Sequence, residues 1–293
     1  VNPPGHFVWE AQTIDTQLRY YANLWQADTL VGKKYTDLYQ LMRKMLNSMP
    51  SRWFVWSINP SKVKVVTFAL LFHCNTAARV FDAYLSAEKG DPSGLALMSL
   101  AYDFVIPSMN SWGDLAAKAV SADYDSSRDY CTEREPADFP LGSPLNRALW
   151  CPLAFGGWPV SKIPDELRKP QHSDVETLLL SGSIDFSTPR EYATNELLPY
   201  LSKGKQVILS ECGHVQDMWY TRVDNTRLIL TRFYGTGSPD TSLNHYIPMD
   251  FRVKWGFPEI TRIVTALMIL TLMTVLTGIT WFLKKRKIKI LTG

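Results

Sequence analysis

From Thr177 to Pro189 the chain reads TLLLSGSIDFSTP, and from Gln206 to Val215 it reads QVILSECGHV. Each stretch opens on a short apolar run (177–181 and 206–210) closed by turn residues. That is the pattern of a strand buried on both faces of a parallel sheet. The segment between them, Pro189 to about Leu201, predicts a helix. Thr188 is placed to cap it, Pro189 is its first residue, and Ala193, Leu197, Tyr200 and Leu201 form one apolar face. A last helix is expected from about Asn225 to Tyr234, stopped by Gly235. Strand, helix, strand, helix implies an α/β arrangement with helices over a parallel sheet. Two parallel strands do not bury both faces unaided, so the expectation is the end of a larger sheet whose earlier strands are missing.

Two side chains in these stretches have the chemistry of a site. Asp185 follows the first strand at its C-terminal end, the edge of a parallel sheet where ligands bind. His214 stands four residues beyond the second strand. A carboxylate after one strand and an imidazole after the next can meet; the acid then orients the ring and leaves its other nitrogen to act as base.

Together these stretches resemble the last two strands of the α/β-hydrolase fold, where the chain order is Ser, Asp, His. The Gly-x-x-Asp-x-x-Thr-Pro form, Gly182 to Pro189, is similar to the tripeptidyl-aminopeptidase and proline-iminopeptidase branch, and LILTRFYGTGSPD, 228–240, resembles that branch's closing helix. The resemblance implies Asp185 as triad acid and His214 as general base, a small peptide or ester as substrate, and no cofactor. It also implies a division of the chain. Residues 1–13 would leave a core strand, 14–175 would be a mainly helical cap with a loop-rich return, and 176–245 would be the C-terminal core portion.

One part of the family pattern is missing. No Gly-x-Ser-x-Gly elbow occurs, and the nucleophile needs that strained strand-to-helix turn. Gly90-Asp91-Pro92-Ser93-Gly94 has the wrong spacing, Ser183 is too close to Asp185 to face the histidine, and Cys212 lies on the histidine's own strand exit. The opening VNPPGHFVWE does not read as a signal peptide. The expectation is therefore a serine hydrolase whose nucleophile-bearing N-terminal half is lost or supplied by a second chain, with the isolated chain inactive. The alternative is a truncated, inactive remnant serving as a membrane-anchored binding or structural protein.

Within the proposed cap, helical spacing runs from about Thr16 to Asn47, a strongly apolar segment from Val63 to Leu85, and further helix from Leu95 to Val105 and from Trp112 to Val120. Residues 121–175 carry seven prolines and read as loops.

Ile263 to Leu283 reads IVTALMILTLMTVLTGITWFL, 21 residues without a charge. At roughly 1.5 Å per residue it matches the ~30 Å hydrocarbon core of a bilayer. Trp281 and Phe282 stand at belt level, and Lys284, Lys285, Arg286 and Lys287 follow. By the positive-inside rule the tail 284–293 is cytoplasmic and everything before the span, joined to it by a tether at 246–262, is extracytoplasmic. Cys131 and Cys151, close in sequence, fit a disulfide in an oxidising compartment, whereas Cys74 reads as a buried small residue.

Composition limits the remaining classes. Of 293 residues, 46% are apolar and 20% charged, with net charge +3, so a globular core is expected and no concentrated basic face for nucleic acid. Asp217 and Asp224 read as helix caps or solvated carboxylates. His6, His73, His172 and His245 show no partner pattern and read as structural, and no zinc-ligand spacing occurs.

Overall fold

In the computed structural model, residues 9–33, 35, 37–108, 111–131, 139–155 and 161–292 are described. His6 and most of the expected strand exit at 1–13 lie outside them.

The N-terminal part is a block of helices. The segment expected as one helical pattern from Thr16 to Asn47 is two helices, α1 (Ala11–Ala27) and α2 (Leu38–Asn47). They separate because Asp28 turns extended and its Oδ1 accepts the N–H groups of Leu30 and Val31, while Asp37 caps α2 by accepting from the Gln40 N–H. A short antiparallel hairpin follows, β1 (Arg52–Trp53) and β2 (Trp56–Ser57). The apolar stretch 63–85 also divides, into α3 (Pro60–Leu70) and α4 (Cys74–Glu88). Asn59 caps α3, with Pro60 in its first turn. Next come α5 (Ser93–Phe104) and α6 (Trp112–Asp123).

The loop-rich region is more helical than its prolines imply. It holds α7 (Pro144–Phe155) and the single turn α8 (Asp165–Arg168). Pro144 begins α7, where its missing N–H costs nothing, and Leu149 and Trp150 are buried. Tertiary burial has overridden the local signal. Cys131 and Cys151 are joined in a disulfide, Cα–Cα 4.8 Å.

β3 (Thr177–Gly182) and β4 (Gly204–Leu209) pair in parallel, Thr177 opposite Gly204. The helix expected between them is broken into α9 (Arg190–Tyr192), a π turn at Ala193–Leu197 and a 3-10 turn at Leu198–Tyr200. Then come α10 (Val215–Thr221) and α11 (Val223–Thr236). Gly235 lies inside α11; the stop is Gly237, in the left-handed conformation at φ 70° with its N–H bonded to the Phe233 carbonyl.

The stretch expected as a tether is packed down for much of its length. Met249 and Phe251 are buried, Arg222 donates to the Ile247 carbonyl at 3.0 Å, and the buried Glu211 carboxylate accepts from Tyr246 Oη and the Met249 N–H. The last helix, α12 (Phe257–Thr292), starts six residues earlier than the apolar run. From Phe257 to Lys285 it is long and apolar enough to cross a membrane.

The architecture is thus helix-rich mixed α/β, with small sheets and one long apolar C-terminal helix. The main core fills the helical block and takes in Ile184 and Phe186 from the loop after β3.

Candidate active site

Asp185 and His214, 29 residues apart in sequence, are brought together by the two parallel strands. Asp185 Oδ2 lies 2.9 Å and Oδ1 3.2 Å from His214 Nδ1. Asp185 is 4% exposed, and a buried carboxylate needs donors on every side. It has them: Oδ1 accepts the N–H groups of Ser187 (2.8 Å) and Thr188 (2.9 Å), and Oδ2 accepts Thr188 Oγ1 (3.0 Å). Thr188, expected as a helix cap, instead holds the acid. The loop is anchored outward by Ile184 and Phe186, which enter the main core, and by Trp9 Nε1, which donates to the Ser187 carbonyl at 2.9 Å.

The histidine loop is tied to the helical block. His214 N–H donates to the Phe72 carbonyl at 2.7 Å. Two glycines permit the approach: a Cβ on Gly182 would collide with the Cys212 carbonyl, and one on Gly213 with the Phe72 carbonyl. Asp217, 5% exposed, is no solvated carboxylate. Its Oδ2 accepts the N–H groups of Cys74 (2.9 Å) and Gly213 (3.0 Å), clamping the start of α4 to the histidine loop. His73 Nδ1 lies 3.4 Å from Asp217 Oδ1, and its ring centre is 6.5 Å from that of His214.

The electrostatics follow from this packing. Burial pushes the His214 pKa down, but the hydrogen bond and negative charge of Asp185, with Asp217 farther off, outweigh it and leave the value raised above 6.5. Burial also opposes ionisation of Asp217, yet His73 and the Cys74 and Gly213 donors hold its carboxyl below the usual carboxylate range. The His214 side chain is 31% exposed, and among the described residues no hydrogen bond to its Nε2 is found. A histidine held at Nδ1 by a carboxylate and open at Nε2 can take and return a proton.

The cysteine and serine candidates named from the sequence do not supply a nucleophile for it. Burial pushes the Cys212 thiol up to about 12 and the Cys74 thiol well above its ordinary value, so neither forms a thiolate near neutral pH. Ser183 is buried, and its Oγ accepts the Glu211 N–H at 2.8 Å. Ser93 is buried beside the Pro258 carbonyl. Asp224 is exposed in the first turn of α11, 3.8 Å from Arg227. His172 packs on Tyr200, ring centres 5.1 Å apart. Among the described residues no cluster of three or more His, Cys, Asp or Glu side chains could hold a metal ion.

Sequence reasoning placed Asp185 and His214 but missed Asp217, His73 and Thr188 as their neighbours. Only Thr188 left a signal, as the last residue but one of the quoted motif. The Asp217–His73 contact spans 144 residues and has no local pattern.

No family model matches this chain, and no curated protein or solved structure is found to be similar to it.

Proposed function

We propose that Asp185 and His214 are the acid and base of a Ser-His-Asp relay, in a serine hydrolase of the α/β-hydrolase fold acting outside the cytoplasm on a small peptide or ester. The observation that carries this reading is the pair itself: a buried, fully satisfied carboxylate holds Nδ1 of a partly exposed histidine whose Nε2 is open. In the reaction, a serine Oγ attacks the substrate carbonyl while Nε2 takes its proton. His214 returns that proton to the leaving amine or alcohol, then takes one from the water that attacks the acyl-serine and passes it to the departing serine Oγ. Asp185 stabilises the imidazolium at each stage.

The serine would lie on strands beside β3. Leu178, Leu179 and Leu180 are apolar yet only half buried, as expected of a strand with room for neighbours. α12 would anchor this site to the bilayer, with the basic tail on the cytoplasmic side.

The test is fluorophosphonate labelling of native membranes containing this chain. The expected result is a labelled species that contains its peptides or co-purifies with them. Changing His214→Ala should reduce labelling by roughly 10³-fold or more, because the serine loses its base. If no such species takes label, the chain is not part of a working serine hydrolase, and the membrane-anchored binding or structural role replaces this reading.

A further inference from the structure

We propose that the body of this protein is seated in the outer leaflet of the bilayer. The tip of the β1–β2 hairpin and the C-terminal end of α5 would enter lipid beside α12. This rests on reading α12 as a membrane span.

The helix sets the depth. Counting back from Lys284 by about 20 residues at roughly 1.5 Å each spans the ~30 Å hydrocarbon core and reaches Val264. Contact between α12 and the body ends at the same level. Pro258, Thr261 and Thr265 are buried along one stripe, and every described side chain from Ala266 onward is exposed. The body therefore meets α12 down to the hydrocarbon boundary and no farther.

Two other elements arrive at that boundary with apolar ends. Trp56, at the start of β2, donates Nε1 to Thr265 Oγ1 at 3.0 Å, which puts an indole where interfacial tryptophans concentrate. The hairpin turn between Trp53 and Trp56 consists of Phe54 and Val55, 59% and 64% exposed. α5 lies along α12 and also packs on both hairpin strands. Its Gly94 sits against Pro258, the second residue of α12. An antiparallel α5 would leave α12 at once, so the extended packing of the two requires that they run in parallel. Ten residues past Gly94, Phe104 then comes level with Met268, about a turn below Thr265. Phe104 is 71% exposed and Val105 49%.

Phe54, Val55, Phe104 and Val105 thus form two apolar tips flanking a helix that itself exposes Val264 and Leu267 at this level. A soluble surface seldom leaves such groups contiguous. Lipid fits them because they stand at the level where the lipid-facing side of α12 begins, with the Lys62–Asp103 pair at the edge of the patch one residue before Phe104.

Site-directed spin labelling of the full chain in phosphatidylcholine nanodiscs tests this. Labels would be placed by Phe54→Cys and Phe104→Cys, with Leu272→Cys inside the span and Tyr234→Cys on the exposed face of α11 as references. All four side chains are exposed, so the fold should tolerate the changes. The expected result is an oxygen-to-nickel-chelate collision ratio at positions 54 and 104 several-fold above that at 234 and approaching that at 272. Ratios at 54 and 104 equal to that at 234, with 272 still in lipid, would overturn the seat and keep the anchor. A water-exposed 272 would overturn both. Low collision with both reagents at 54 and 104 would mean a protein contact, such as a second copy, and would also overturn the lipid assignment.

Discussion

In the helical block, Tyr21, Trp25, Phe68 and Phe81 are almost fully buried; Phe81 meets Tyr21 and Trp25 edge to face and also touches Phe251, while Phe68 meets Trp9 and Phe72 edge to face. Around β3 and β4 the buried apolar cluster among the described residues is Val207, Leu209, Cys212, Met218 and Ile229, with Leu178 and Leu180 packed against it. The block has a core able to support itself, whereas the sheet that carries the candidate site leans on its neighbour. Its supports are directional: the Phe72 carbonyl on His214, the Asp217 clamp on Cys74, and Trp9 on Ser187. Hydrophobic burial tolerates small displacements, but hydrogen bonds to a buried carboxylate do not. The site is therefore placed by the weaker region's polar ties to the stronger one.

The largest expected effect separates the two regions. Phe81→Ala should remove about 3–5 kcal/mol, the usual cost of deleting a buried aromatic ring, and raise hydrogen exchange throughout the helical block. Ile229→Ala should instead raise exchange in β3, β4 and α11 first, leaving the block protected. Native-state hydrogen exchange reads both. If the two variants open the same amides together, block and sheet are one cooperative unit and the contrast drawn here is wrong.

A smaller loss should follow at the seam. Asp217→Ala leaves the Cys74 and Gly213 N–H groups buried without an acceptor and should cost about 2–3 kcal/mol in chemical denaturation. Asp217→Asn keeps an acceptor oxygen and should recover part of that. An equal loss for both variants would mean the charge beside His73, rather than the two hydrogen bonds, holds the seam.

The smallest effect is the most informative about the site. His214 has its pKa raised, so its protonated form contributes stability fully present below the unfolded histidine value of about 6.5. That contribution fades as pH rises through the folded value. Asp185→Asn removes the negative charge beside the ring, leaving burial opposed mainly by the more distant Asp217; the pKa should then fall below its wild-type value. Titration of the ring resonances by NMR measures it, and an unchanged pKa would show that Asp185 does not govern the histidine.

Much of this was legible locally. The runs TLLLS and QVILS announce two buried strands because a strand buried on both faces needs consecutive apolar residues, and the structure pairs them in parallel. The 21 uncharged residues of α12 announce themselves in the same way, and Asp185 and His214 stand out because each lies a few residues beyond a strand.

Other features had no local trace. The break between α1 and α2 depends on the single side chain of Asp28, and α7 survives its prolines because Leu149 and Trp150 are buried. The stretch 246–262 reads as a tether, yet Glu211, Arg222 and the aromatic cluster around Phe251 pull its first part onto the body.

The sequence by itself therefore determined the two strands and the apolar span, and singled out Asp185 and His214 as side chains that could meet. Each rests on a repeat or run of a few residues, and such patterns are properties of the local chain. Tertiary structure alone decided that Thr188 and the Ser187 N–H hold Asp185, that Asp217 clamps α4 to the histidine loop, and that Trp56 meets Thr265. Those are single polar contacts made at close range, and two of them, Asp217 with Cys74 and Trp56 with Thr265, join residues more than a hundred positions apart. No periodicity encodes them; they exist only once the packed cores have brought the partners together.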